Sequence, residues 1–217
     1  DQPRSRGLGD VYKRQVHTWL PTLMEYLHDS YPALMVEIQV DTTTMLKSQL
    51  AARQIDLAFL LGPMEEPRVE NLYLCNYPLS WVASPKLKVG RQPISLKRLA
   101  EWPVITYSST TDPHRSVRQL MLQAGVESPR MYGSSALSVI VRMAQDGIGT
   151  AVIAPVILRK ELAQGELRIL EVKAPALPPL HYTACWMQGP DSQIPRVVAE
   201  AAQQIAREDA LRHPAKP

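Results

Sequence analysis

Ser134-Ser135-Ala136-Leu137-Ser138-Val139-Ile140-Val141-Arg142-Met143-Ala144-Gln145-Asp146-Gly147-Ile148-Gly149-Thr150-Ala151-Val152-Ile153-Ala154-Pro155 carries two different periodicities in one run. Leu137, Ile140, Val141 and Ala144 recur at the spacing of one helix face, Ser134-Ser135 stands where a helix opens, and Gly147 stops the pattern. Thr150 to Ala154 then reads as a short strand that Pro155 ends. A helix delivering the chain into a strand apolar on both faces is the repeating unit of an α/β sheet. The apolar run from Gly149 to Leu158 falls short of the ~18 residues of a membrane span, contains Pro155 and stops at Arg159. Gly147-Ile148-Gly149 is not a dinucleotide fingerprint, because Val152 stands where that motif needs glycine and the pair leads into a strand instead of opening a helix.

The same alternation extends outward in both directions. Upstream, Leu20, Leu23, Met24 and Leu27 form a helical face with Thr18 as its cap, Leu34, Val36, Ile38 and Val40 alternate as a strand, and Leu46 and Leu50 belong to a second helix. Leu57 to Leu61 is a continuous apolar run suited to a buried strand, and strands are expected again at 72–76, 79–83 and 104–107. Asp112 followed by Pro113 is a helix start, with Val117, Leu120 and Met121 inward. Downstream, strands are expected at 167–172 and 181–187, a terminal helix at 194–208 and a frayed tail over 211–217. Strands alternate with helices nearly throughout, so the expected class is α/β with largely parallel sheets, divided into two subdomains by the segments 72–84 and 181–187.

A chain of 217 residues with 45% apolar and 21% charged residues has an ordinary globular composition. That excludes disordered, fibrous and low-complexity classes. Of the net charge of +3, the first fifteen residues supply +2 through Arg4, Arg6, Lys13 and Arg14 against Asp1 and Asp10. The remainder is nearly neutral and lacks the clustered Lys and Arg that a phosphate backbone requires. Residues 1–15 follow neither structural period and read as a leader foreign to the fold. Cys75 and Cys185 each sit in an apolar stretch and, with no secretory signal, are expected as buried reduced thiols of a cytoplasmic protein.

The chemistry follows from what is missing and from what recurs. No phosphate-loop, H-E-x-x-H, C-x-x-C or G-x-S-x-G motif occurs, and the five histidines never take metal-binding spacing, so no catalytic residue, metal or cofactor is expected. Hydroxyls, in contrast, cluster where a strand hands over to a helix: Thr42, Thr43 and Thr44; Ser108, Ser109, Thr110 and Thr111; Ser134 and Ser135; and Thr18. In open α/β sheets these junctions line the crevice at the carboxyl ends of the strands, and the helix ends there present free N–H groups. Capping accounts for any one such residue. One helix uses one cap, however, and the surplus describes a polar, uncharged rim for a small anionic or hydroxylated molecule.

Several strings, in order, resemble the effector-binding domain of LysR-type transcriptional regulators over residues 19–206. They are Leu20-Pro21 with the helix ending at Tyr31-Pro32; Leu50 to Ala58, similar to L-x-x-G-x-L-D-L-A; Pro78-Leu79 before Trp81-Val82-Ala83; Ile94-Ser95-Leu96 with Leu99-Ala100 before Pro103-Val104-Ile105; Val141 to Pro155; and Glu161-Leu162 with Gly165-Glu166-Leu167. The resemblance implies a periplasmic-binding-protein-like (type 2) fold of two α/β subdomains joined by two crossover strands. Subdomain I would span 16–78 and 183–217, and subdomain II 79–182. It also implies a small effector in the cleft between them, with contacts at Thr18, Thr42, Thr43, Thr44, Ser108, Ser109, Thr110, Ser134 and Ile153. Further implications are homodimers, tetramers of the full-length regulator, and DNA binding through an N-terminal helix-turn-helix that is not in this sequence. The rival expectations are a transport solute-binding protein of the same fold, and an enzyme, which would need an acid, base or metal among the hydroxyls.

Overall fold

The computed structural model describes residues 19–190 and 192–212. The expected leader 1–15 and Thr18 lie outside the described residues. The chain forms two compact units, one from the described residues up to Tyr77 together with those from Leu180, the other from Pro78–Pro179.

In the first unit, α1 (Leu20–Ser30) begins with Pro at its amino end and buries Leu20, Leu23 and Leu27. Trp19 occupies its N-cap position without a side-chain bond, so the expected cap at Thr18 is replaced by a buried aromatic. α2 (Thr43–Ala51) is capped by Thr42, whose Oγ1 accepts from Met45 N at 3.3 Å, and it buries Leu46 and Leu50. β1 (Leu57–Leu61), β2 (Val69–Tyr77) and β10 (Leu180–Met187) form one sheet in the order β1-β10-β2. Both pairings are antiparallel, against the expectation of a parallel sheet. Among the described residues, the alternating segment 34–40 joins no ladder, and Met35, Val36 and Ile38 are exposed. β1 buries only Ala58 and Leu60 fully, in place of the doubly covered strand expected, and stands first in the order of the described strands.

The core of this unit gathers Leu46, Leu50, Ala58, Leu60, Met64 and Cys185, with Ile55, Val69 and Met187 packed against it. The long α7 (Gln193–Arg212) packs on β2, where Gln203 Nε2 donates to Tyr73 O at 2.5 Å and Tyr77 OH donates to Asp209 Oδ2 at 3.2 Å. α7 runs past the expected stop at 208 and takes in Leu211, which was expected in the tail. Asn71 holds the loop before β2: its Oδ1 accepts from Met64 N at 2.9 Å and from Cys185 Sγ at 3.1 Å, while Nδ2 donates to Met64 O at 3.0 Å.

The second unit carries β3 (Ser80–Ala83), β5 (Val104–Tyr107), β6 (Met131–Ser134), β7 (Thr150–Ile153) and β8 (Arg168–Ile169) in the order β6-β5-β7-β3-β8. β4 (Ile94–Ser95) pairs in parallel with β9 (Val172–Lys173), so the strand expected over 167–172 is split in two. β5 runs parallel to both β6 and β7, and β3 antiparallel to β7. Helices α3 (Leu96–Leu99), α4 (Asp112–Gln123), α5 (Leu137–Gln145) and α6 (Arg159–Ala163) complete it, with a 3₁₀ turn at Pro155–Leu158. All four residues of β5 and all four of β7 are buried, as continuous apolar strands covered on both faces should be.

Candidate functional site

The register of β5 and β6 decides where the hydroxyls gather. Val104 lies opposite Met131 and Tyr107 opposite Ser134, so these parallel strands end side by side. The chain leaves β5 into Ser108-Ser109-Thr110-Thr111 and leaves β6 into Ser135-Ala136. Two hydroxyl clusters separated by more than twenty residues of sequence therefore share one carboxyl edge. β7 ends at the same edge, since Val104 and Ile105 lie opposite Thr150 and Ala151 and Ala154 N donates to Tyr107 OH at 3.4 Å.

Within the first cluster, Thr111 Oγ1 donates to Ser108 O at 2.7 Å, Thr111 N donates to the same carbonyl at 3.0 Å, and Ser108 Oγ lies 3.5 Å from Thr110 Oγ1. Thr111, not Asp112 as expected, occupies the N-cap of α4. Asp112 instead pairs with Arg115, whose Nη1 also donates to Thr110 O at 2.9 Å. The guanidinium thus clamps the outer end of the loop. Ser109 and Thr110 are exposed and Ser108 is half-buried. Ser134 Oγ accepts from Ala136 N at 3.0 Å and closes the turn into α5.

Gly133 lets the two clusters approach closely. A Cβ there would sit 3.1 Å from Tyr107 O, 3.4 Å from Ser109 N and 3.5 Å from His114 Cδ2. His114 is a rim residue that sequence reading missed, for a lone histidine one turn into a helix has no spacing signature. Its imidazole is held below the ordinary histidine value, first by burial and then by the Arg118 charge. Ile153 reaches the same edge but is 1% exposed, so its side chain belongs to the core. Thr42, Thr43 and Thr44 open α2 in the first unit, with Thr42 and Thr44 exposed and Thr43 half-buried. Thr42 N also donates to Asp41 Oδ1 at 2.7 Å.

Among the described residues, no group of three or more His, Cys, Asp or Glu is placed to hold a metal ion. No described helix is long and apolar enough to cross a membrane. The family model for the LysR substrate binding domain matches residues 15–207.

The chain belongs to the LysR substrate-binding domain family. Among its relatives, a probable RuBisCO transcriptional regulator of Thalassiosira pseudonana is 22% identical over 162 residues, covering 70% of this chain and 52% of that protein. The chain thus spans about half the length of such relatives. Among solved structures, the Synechocystis PCC6803 CcmR regulatory domain in complex with 2-PG superposes with a TM-score of 0.72 at 19% identity, covering 87% of this chain and 91% of that one. The effector-binding domain of QuiR in complex with shikimate gives 0.70 at 16% identity, covering 87% and 90%. The fold is accordingly that of LysR effector domains, periplasmic-binding-protein-like with two α/β units. The family match lends no support to the transport reading.

Proposed function

We propose that this LysR substrate-binding domain senses a small anionic or hydroxylated metabolite through Ser108, Ser109, Thr110 and Ser134, with Thr42, Thr43 and Thr44 of the first unit and Thr18 as further contacts. The register that sets Tyr107 beside Ser134, and so merges two hydroxyl loops at one sheet edge, carries this reading. Hydroxyls and helix-end N–H groups suit carboxylates, phosphates or sugars, and the carboxyl edge of parallel strands is where such ligands bind in open α/β sheets. The ligands in the CcmR and QuiR structures, 2-PG and shikimate, agree with that chemistry. Ile153 supports the edge from within the core.

The domain acts without chemistry on its effector. Each tenfold preference of the effector for one conformation shifts the balance of states by about 1.4 kcal/mol. In the full-length cytoplasmic regulator, paired copies of the domain would pass that shift to a helix-turn-helix on DNA. The test is a thermal-shift screen of small carboxylates, phosphates and sugars, since a ligand of the folded state at a hundredfold its Kd adds about 2.7 kcal/mol. Hits should lose their shift in Thr43→Ala, Ser109→Ala or Ser134→Ala. A shift unchanged in all three would overturn the site.

A further inference from the structure

The near-neutral total charge of the chain conceals an uneven division. Residues 78–179, which make up the second unit, hold thirteen Lys and Arg against seven Asp and Glu, whereas residues 16–77 and 180–217 hold seven against twelve. The second unit therefore stands at +6 and the remainder past residue 15 at −5. Much of the excess is continuous in sequence, since Pro78 to Ala100 contains five basic residues and no acidic one.

Folding gathers these charges on one surface. Between β3 and β4, Leu87 and Val89 are buried and anchor the chain, which leaves Lys86, Lys88 and Arg91 exposed. The segment is tied to β8 and β9: Arg168 Nη2 donates to Leu87 O at 3.4 Å, Glu171 N to Gln92 Oε1 at 2.7 Å and Ile94 N to Glu171 O at 2.8 Å. The parallel pairing of β4 with β9 sets Ser95 opposite Lys173, and Ser95 leads directly into α3 with Lys97. Lys97 and Lys173 are exposed too, and among the described residues none of these five cations forms an ion pair. The acids of the same stretches are Glu101, which Arg98 pairs, and Glu171.

Such a surface fits a polyanion, and its other side chains say which kind. Protein interfaces centre on aromatic and aliphatic anchors and are poor in Lys. Here the large apolar residues Leu87, Val89, Ile94, Leu96 and Leu99 all point into the core, and residues 84–101 include no aromatic. Trp102, the next residue, lies under the Arg98 guanidinium, 5.2 Å from its ring. That leaves no platform on which unpaired bases could stack. Exposed, unpaired Lys and Arg without a base-reading element are the footprint of a phosphate backbone.

We propose that the face carrying Lys86, Lys88, Arg91, Lys97 and Lys173 binds the phosphate backbone of duplex DNA, weakly and without reading its sequence. In a regulator held on DNA by another domain, a weak contact still counts, because tethering makes it intramolecular. The proposal is independent of the effector reading: Lys86 lies against Gly147, ahead of the amino end of β7, whereas the hydroxyls gather at the carboxyl edge.

Fluorescence anisotropy of a labelled duplex of about 30 base pairs tests it on the full chain. Binding should have a Kd of about 10⁻⁴–10⁻⁶ M near physiological salt, and four or five neutralised phosphates should give log K a slope of about −4 against log salt. Lys86→Glu, Lys88→Glu and Arg91→Glu together should weaken binding about tenfold or more and flatten the slope by about 2 to 3. Should that variant fold poorly, Lys86→Gln, Lys88→Gln and Arg91→Gln together must flatten the slope in the same way. The first fifteen residues are basic as well, so Arg4→Ala, Arg6→Ala, Lys13→Ala and Arg14→Ala together should keep about half of the slope or more. Absence of salt-dependent binding, binding that survives removal of the three charges, or binding that vanishes with the first fifteen residues' charges would each overturn the proposal. So would displacement by polyglutamate at a lower charge concentration than by unlabelled duplex, which would make the partner an acidic protein, or a loss of binding that sedimentation traces to a dissociated dimer.

Discussion

Gly149 lies against Pro103 so closely that a Cβ at 149 would stand 2.1 Å from the Pro103 carbonyl oxygen. That oxygen also accepts from Thr150 N at 3.0 Å, so the contact registers the start of β7. Gly147 differs in kind: its φ is +74°, and a Cβ there would meet only Lys86 Cβ at an ordinary 3.5 Å.

Gly149→Ala should therefore destabilise the domain by about 2 kcal/mol or more, because the clash is with backbone and no rotamer relieves it. Gly147→Ala should cost about 1 kcal/mol, the strain of a left-handed alanine. Urea unfolding of both variants measures the difference. Equal losses, or a larger one at 147, would contradict the packing account.

Cys75 and Cys185 are buried free thiols, 3% and 0% exposed, and burial raises each to about 11. A thiolate is the reactive species, so both should react with a disulfide reagent at pH 8 only as fast as the protein opens. Labelling should accelerate with urea in step with unfolding. A rapid phase for either thiol in the native protein would count against this.

His114 titrates below the ordinary 6.5, first because it is partly buried and then because Arg118 repels its charged form. The unfolded chain then binds a proton that the folded state resists. The stability this group contributes is present above its unfolded value and is lost as the pH falls through the lowered folded one. The stability difference between the unchanged chain and His114→Gln should be constant above about pH 7 and should shrink below 6.5. A difference independent of pH from 7.5 to 4.5 would show that His114 is not perturbed.

The loop anchored by Asn71 invites a similar test. Its side chain makes two bonds to the Met64 backbone and accepts a third from Cys185. Asn71→Leu should lose about 1–3 kcal/mol, because Met64 N and O lose partners in a half-covered site. A loss below about 0.5 kcal/mol by urea unfolding would mean that water replaces the amide freely.

Local patterns carried much of this fold in the sequence. The helical face of Leu137, Ile140 and Ala144 and the strand after Gly149 are each set by side chains within one short run. What stayed hidden depends on partners far along the chain. The alternation over 34–40 is genuine, but a strand also needs an adjacent edge, which periodicity does not report and which 34–40 does not find among the described residues. Antiparallel pairing of β1 with β10 joins segments more than a hundred residues apart. At the sheet edge, the hydroxyl surplus marks Ser108–Thr110 and Ser134, whereas His114 becomes visible only through the close approach at Gly133, which both it and Ser109 N flank. Asp112 drew attention as a cap because Asp-Pro is a helix start; the ion pair with Arg115 claimed its carboxylate instead.

Ser109 and Ser134 separate capping from ligand contact. Ser134 Oγ accepts from Ala136 N at 3.0 Å, so Ser134→Ala removes a structural bond and should cost about 1 kcal/mol without any ligand. Ser109 is exposed and its side chain makes no bond described above, so Ser109→Ala should leave the unliganded Tm within about a degree. If the rim binds the effector, both variants should reduce the ligand-induced shift, despite their different starting stabilities. Gly133→Val should do so most strongly, since the added side chain would project from a Cβ 3.4 Å from Ser109 N and 3.5 Å from His114 Cδ2. A ligand-induced shift preserved in Ser109→Ala and Gly133→Val would assign these hydroxyls to helix capping alone and move the effector elsewhere in the domain.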